Sequence, residues 1–227
     1  MEKIVLEKTE IYGLVPALRG MRNPMDSWHL ADSKLCWNEE QGYLFYNGTS
    51  DMLSENIIIG EKDLNLAQRL ITAGGEHCKF LRMVQVWTDI TVPRYIWSEL
   101  DTYKFNTKNS CSTMHKLFNA KKEITLEQFV YSKEDEQFLL QVINYLNELR
   151  AQYLETKDKE ILRRAKQILP EGFLQKRTWN TNYQELLNIY FQRRNHRLKD
   201  WQVVCKWIEE LPYMDTFIYA MENRNKK

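Results

Sequence analysis

The chain has 227 residues, 43% of them hydrophobic and 28% charged, with a formal net charge of +1. That length supports one large domain with a substantial core, and the balanced charge excludes bulk attraction to a nucleic acid polymer or an anionic membrane. With only 8 Gly and 5 Pro, the composition argues against disorder and against a turn-rich all-β fold.

Ile4–Leu6 and Ile11–Tyr12 are predicted as short strands around a charged turn, followed by a short helix over Leu14–Arg22. That helix carries Arg19 and Arg22 three apart, hence on one side, as a solvated face or as a grip for an anion. From Asn23 to Gly60 regular patterning stops: Trp28, Trp37, Tyr43, Phe45 and Tyr46 stand among small polar residues, and Asn47-Gly48 signals a turn. Tyr43–Tyr46 is predicted as a strand ending in that turn, and the whole stretch as an aromatic-rich insertion, lid or subunit contact at about 23–60. Glu61–Ala73 is helical, with Leu64, Ala67, Leu70 and Ile71 on one face and Gly74-Gly75 closing it. His77 follows the closure, as a hydrogen-bonding strut or as a functional group.

The stretch from Phe80 to Lys116 organises the rest. Arg82, Val84, Val86, Thr88, Ile90 and Val92 alternate along a predicted strand, with Leu81, Met83, Gln85, Trp87 and Asp89 on its other face. Pro93 ends the strand and opens a helix in which Ile96, Leu100 and Tyr103 repeat at helical spacing, carrying Asp101–Lys104 to its end. The segment NTKNSCSTMHK then reads as a polar loop rich in hydroxyls and amides, held out by strand and helix as a platform for a polar ligand. Lys104, Lys108, His115 and Lys116 surround it.

Lys133–Thr156 is an amphipathic helix in which Phe138, Val142, Leu146, Leu149 and Tyr153 follow the repeat. Asp158–Leu169 is predicted as a second helix or a kinked extension of the first, Leu169-Pro170 ends it, and Phe173–Thr181 is predicted as a second strand leading into the next helix. In the next helix, Asn182–His196, four residues (Asn182, Leu186, Ile189 and Arg193) share a narrow arc. The Arg193 guanidinium either snorkels past the helix end or points into a site. Leu198–Leu211 is helical, with Trp201, Val204, Cys205 and Ile208 inward, and the Lys-rich tail is predicted to fray.

No apolar run approaches a membrane span, and the opening Met-Glu-Lys is no secretion signal. Cys36, Cys78, Cys111 and Cys205 are scattered without a metal-binding spacing, so no metal, reduced thiols and a cytoplasmic setting are expected. Walker, dinucleotide-fingerprint, HExxH and catalytic-triad spacings are absent from the sequence.

The order of these features resembles the flavin-dependent thymidylate synthase family, ThyX: a helix, a Gly-rich turn with His, a long strand, Pro, helix and polar loop, then much later Leu-Pro, Trp, Asn and an Arg-bearing helix. The family signature is Arg-His-Arg, seven residues of any kind, then Ser. Counted from Pro93, Thr102, Tyr103 and Lys104 stand at the Arg-His-Arg positions and Ser112 at the Ser. Thr107 takes a preceding Ser position, Asn109 is retained, and Met114 replaces an Arg that binds phosphate. Arg19 and Arg22 match the paired arginines of the first helix, and Trp179 matches a family Trp. Gln184 replaces a further Arg.

The resemblance implies an α+β, ThyX-like fold with a central antiparallel or mixed sheet and long helices over a single domain, 1–227, assembled as a homotetramer with sites between subunits. It implies FAD as cofactor, touched by His77, Asn182 and Asn188, and a pyrimidine nucleotide of the dUMP type. That nucleotide would be held by Lys104, Thr107, Asn109, Ser110, Ser112, Thr113, His115 and Lys176, with Arg193 polarising its ring as the catalytic group. Two functions follow as expectations: a flavin-dependent enzyme transferring methylene or hydride at C5 of a uridine nucleotide, or a nucleotide receptor or sequestering protein that has lost this chemistry with its Arg-His-Arg. A structural role is the third, with His77 bracing a turn, Arg193 paired to an acidic neighbour and Ser112 as a cap.

Overall fold

The computed structural model describes residues 3–35, 57–119 and 121–224, except the side chains of Leu35, Met114 and His115. The expected strand at Tyr43–Tyr46, its Asn47-Gly48 turn and most of the aromatic insertion lie outside the described residues, as does the end of the Lys-rich tail. The architecture is α+β. Six strands are present among the described residues: β1 (Val5–Tyr12), β2 (Lys34–Leu35), β3 (Ile57–Ile58), β4 (Gln85–Pro93), β5 (Thr107–Ser110) and β6 (Leu174–Asn182). β1, β4, β6 and β5 form an antiparallel sheet in that order, which leaves β5 at an edge. β2 and β3 pair antiparallel, with Lys34 opposite Ile58.

The chain forms two compact units. The first comprises Met1–Val5, Ile90–Thr102 and Asn109–Arg177. Its core gathers around the long helix Glu136–Thr156 and the helix Lys159–Ile168, with Leu139, Ile143, Leu146 and Leu149 buried against Leu162 and Ala165. Leu146 and Leu149 are inward as predicted, whereas at the start of the helix Leu139 and Ile143 are buried in place of Phe138, which is 69% exposed, and Val142, which with Tyr153 is only partly buried. Both pairs are apolar, so periodicity alone does not choose between them; the neighbouring helix does. Asp158 caps that second helix by accepting from the Glu160 amide, and the isolated bridge Phe129–Phe173 closes the core with its rings 5.3 Å apart.

The second unit comprises Leu6–Asp89, Tyr103–Lys108 and Thr178–Lys227. Trp179, Tyr183, Trp201 and Phe217 are fully buried in it. The helix Glu61–Ala73 packs on a helix the sequence did not announce, Met214–Arg224, which buries Met214, Phe217, Ile218 and Ala220. Gly74 closes the first of these at φ +71°, a conformation that glycine adopts without strain.

Three further expectations change. The charged turn near the N-terminus is absorbed into one continuous strand, β1, where it survives as a single left-handed residue, Lys8, with φ 53°. The long strand starts later than alternation suggests: Gly75–Met83 is a run of 3-10 helix, so Leu81 is buried and Arg82 exposed, whereas Val84, Val86, Thr88, Ile90 and Val92 are buried as predicted. The helix after Pro93 stops at Leu100, and the polar segment is not a loop throughout, since it contains the edge strand β5 and the short helix Thr113–Lys116. Arg22, finally, is neither solvated nor a free anion grip. It is 3% exposed and paired with Asp63 at 2.6 Å, while Arg19 alone faces outward.

Candidate functional site

Two places in the chain gather the residues singled out from the sequence, one in each unit. In the first unit, β6 and the segment after β5 run side by side: the Cys111 amide donates to the Lys176 carbonyl at 2.9 Å, and the Gln175 side-chain amide donates to the Cys111 carbonyl at 3.1 Å. Gln175 is itself fixed, because the Trp97 indole N–H donates to its carbonyl at 2.7 Å. Between these strands and the Thr113–Lys116 helix lies an open cavity of about 380 Å³. Thr113, Lys116, Lys122 and Lys176 give it three cations and a hydroxyl, Glu123 supplies one carboxylate, and Ile124 and Phe173 form part of an apolar wall.

A cavity of this size lies within the range of small-ligand sites, about 300–1,000 Å³. Its lining matches an anionic head on a flat, less polar body: ammonium groups and a hydroxyl for phosphate oxygens, and an apolar wall for a ring. Of the expected nucleotide residues, Thr113 and Lys176 line it. Ser112 lies just before the Thr113–Lys116 helix, its carbonyl accepting from the Lys116 amide, and Asn109 and Ser110 are exposed on edge strand β5. His115 lies in that short helix, with its side chain outside the described residues.

In the second unit the organising element is the helix Tyr183–Arg193. Asn182 is its N-cap, accepting from the Glu185 amide at 3.0 Å, and its own amide donates to the Phe105 carbonyl at 3.0 Å. Glu185 is 4% exposed and receives the Phe105 amide at 3.2 Å and the Asn106 side chain at 3.3 Å. Together these bonds hold the turn that follows Tyr103 against the start of the helix. At the other end, the Tyr103 hydroxyl donates to Gln192 at 2.9 Å and accepts from Nε of Arg193 at 3.0 Å. Arg193 also lies over the Trp201 ring, 4.7 Å from its centroid. Lys104 and Thr107 are exposed along the turn and β5.

Asn182 and Asn188 line a small cleft with Arg82, Gln184, Glu185 and Phe105. Arg82, Gln184 and Asn188 also line a second cleft of about 250 Å³, together with Cys78, Met221 and Arg224. Nε of Arg82 donates to Gln184 at 2.7 Å, and its guanidinium lies 5.8 Å from the centroid of the exposed Phe105 ring. His77 is exposed on the 3-10 run and lines neither cleft. The fit of these described residues to a flavin dinucleotide is poor. The larger cleft is below the usual small-ligand range, and the Asn182 amide is spent on both of its ends inside the chain.

The cleft cysteine is not a ready nucleophile: burial pushes the Cys78 thiol up, against the opposing charge of Arg224. Burial likewise pushes Cys205 up to about 11. Cys111, half-buried, borders the larger cavity.

Sequence reasoning placed Arg82 on an apolar strand face and so missed it as a cleft residue. It also passed over Lys122, Glu123 and Gln128. Nothing in their local pattern marks them, since they reach the cavity only through the fold. Among the described residues no group of three or more His, Cys, Asp or Glu is placed to hold a metal, and no helix is long and apolar enough to cross a membrane.

No family model matches the chain, and no curated protein matches it significantly. Solved structures do. One is thymidylate synthase X (ThyX) of Helicobacter pylori with FAD and dUMP, 18% identical, with a TM-score of 0.67 over 99% of this chain and 100% of that one. A second structure, of the flavin-dependent thymidylate synthase ThyX of Helicobacter pylori complexed with FAD and dUMP, is also 18% identical, with a TM-score of 0.66 over 94% and 97%. Likeness at this identity, over the full length of both chains, is likeness of architecture: this chain has the α+β fold of the ThyX thymidylate synthases.

Proposed function

We propose that the protein binds a pyrimidine mononucleotide of the dUMP class, with the phosphate in the lysine-lined cavity of the first unit. The observation that carries this reading is the convergence of Thr113, Lys116, Lys122 and Lys176 on one open volume beside an apolar wall. The fold likeness to structures that hold dUMP supports it. Lys104, Thr107, Asn109, Ser110, Ser112 and His115 extend the same polar segment and are assigned to the nucleotide. Arg193 is assigned to the pyrimidine ring, contributed by a neighbouring copy in a homotetramer of the kind the resemblance implies. The setting that suits a small-nucleotide protein with unpaired thiols is the cytoplasm.

We favour a receptor or sequestering role over flavin chemistry. Asn182 is consumed as a helix cap and Tyr103 engages Arg193. His77 lines neither cleft, although its neighbours Glu76 and Cys78 line one, and Asn188 lines both with Arg82 and Gln184. Calorimetric titration with dUMP tests the binding claim, and an absorbance spectrum after loading with FAD tests the choice between roles. Saturable dUMP binding by a protein that stays colourless is the expected result. A flavin band retained through gel filtration would reverse the preference, and no heat with dUMP would remove the proposal.

A further inference from the structure

We infer that Tyr103 is a positioning residue for Arg193, and that its hydroxyl sets which pyrimidine the protein accepts. The inference rests on the nucleotide reading above, in which Arg193 faces the ring. Arginine has several rotatable bonds, so a guanidinium that must meet a particular ring atom has to be held. Here Nε donates to the Tyr103 hydroxyl at 3.0 Å, the Trp201 ring lies 4.7 Å away, and the Tyr103 ring itself lies 5.8 Å away.

The direction of the hydrogen bonds is determined by the chemistry of the three groups. A guanidinium only donates, so the hydroxyl accepts from Arg193 and spends its one proton on the Gln192 carbonyl oxygen, 2.9 Å away. One oxygen thus ties down two successive residues in the last turn of the helix. Tyr103 is held in its turn, because Phe105 and Asn106, just after it, are fastened to Asn182 and Glu185 at the other end of the same helix. The hydroxyl is therefore braced at both ends of the turn.

A donor-only group fixed in this way distinguishes pyrimidines at one place. Uracil presents a carbonyl oxygen at C4, which accepts, whereas cytosine presents an amino group, which donates. A well-oriented guanidinium favours the first and meets the second donor against donor, but one free to swing away loses the distinction. Tyr103→Phe removes only the hydroxyl and keeps the ring.

The test measures dUMP, dCMP and deoxyribose 5-phosphate binding to the full chain and to Y103F by calorimetry, and follows the Arg193 Nε–H by ¹⁵N NMR without ligand. Loss of the charge-assisted bond should lower the dUMP-over-dCMP preference about tenfold, leave deoxyribose 5-phosphate unchanged, and speed solvent exchange of the Nε proton. An unchanged preference in Y103F overturns the inference, as does an Nε proton that exchanges equally fast in both proteins. If the unaltered chain binds no dUMP, the nucleotide reading itself has failed and the selectivity role falls with it. The exchange comparison still reports separately whether Tyr103 holds Arg193.

Discussion

The two units use polar side chains in opposite ways. In the second, several are spent on one another (Arg22 on Asp63, Asn182 on Glu185 and Phe105, Tyr103 on Gln192 and Arg193), although Nη2 of Arg22, the Trp179 indole N–H and the Thr181 hydroxyl are buried without a hydrogen-bond partner among the described residues. In the first, lysines from three separate places in the sequence line an open volume. Burying a polar group without a partner costs free energy, so a closed network mostly supports the fold, while charged groups that line an open volume can meet a ligand. The comparison predicts that substitutions in the second unit change stability first and that substitutions in the cavity change binding first.

The largest effect is expected at Asp63. Its carboxylate, 1% exposed, accepts from Arg22 at 2.6 Å and from the Ser33 hydroxyl and amide at 2.6 and 2.9 Å. Asp63→Asn leaves the Arg22 charge buried and should cost about 3–5 kcal/mol of stability in a denaturant titration. Burial alone would raise the Asp63 carboxyl, but the hydrogen bonds from Ser33 and Arg22 outweigh it and hold it below the usual carboxylate range. A depressed folded value means that the contribution is complete above the unfolded pKa and is lost as pH falls below it. The stability gap between the wild-type chain and D63N should therefore be constant at neutral pH and narrow in the acid range. A gap that widens with acid would contradict the assignment.

In the cavity, the double substitution Lys116→Gln with Lys176→Gln should weaken dUMP binding by about 2–5 kcal/mol. Its melting temperature should stay near that of the unaltered chain. A large fall in stability with unchanged affinity would put these lysines with the fold and erase the contrast between the units. Asn182→Ala removes a helix cap and should cost about 1–2 kcal/mol of stability in thermal melts, and its effect on dUMP affinity should be smaller than that of the lysine pair. The smallest effect is that of salt: dUMP affinity should fall modestly between low and physiological ionic strength, because the cavity is open and its charges are screened.

How far the fold could be read from the sequence depends on the kind of signal. The β4 face from Val84 to Val92, the Leu169-Pro170 stop and the inward Trp201 side of its helix are local patterns, and all are present in the structure. The inward stripe of Glu136–Thr156 was ambiguous because Phe138 and Leu139 are both apolar, and only the packing of Lys159–Ile168 decides between them. The helix Met214–Arg224 was missed, since its sequence is short and mixed and its burial comes from the distant Glu61–Ala73. Of the residues that line the cavity, Thr113 and Lys176 are ones the family resemblance had named. Lys122, Glu123 and Arg82 were not, since each acquires its neighbours from segments far away in the chain.

The cavity can be tested through the cysteine that borders it. Cys111 is half-buried beside Thr113 and Lys176, whereas Cys78 and Cys205 are buried with their thiols pushed up. Peptide-resolved alkylation with and without dUMP then reports occupancy at the proposed place. If the nucleotide sits in this cavity, Cys111 labels faster than Cys78 and Cys205, and saturating dUMP slows it severalfold while those two stay unchanged. Cys111 labelling at the same rate in the presence of demonstrably bound dUMP would place the nucleotide elsewhere and contradict the account.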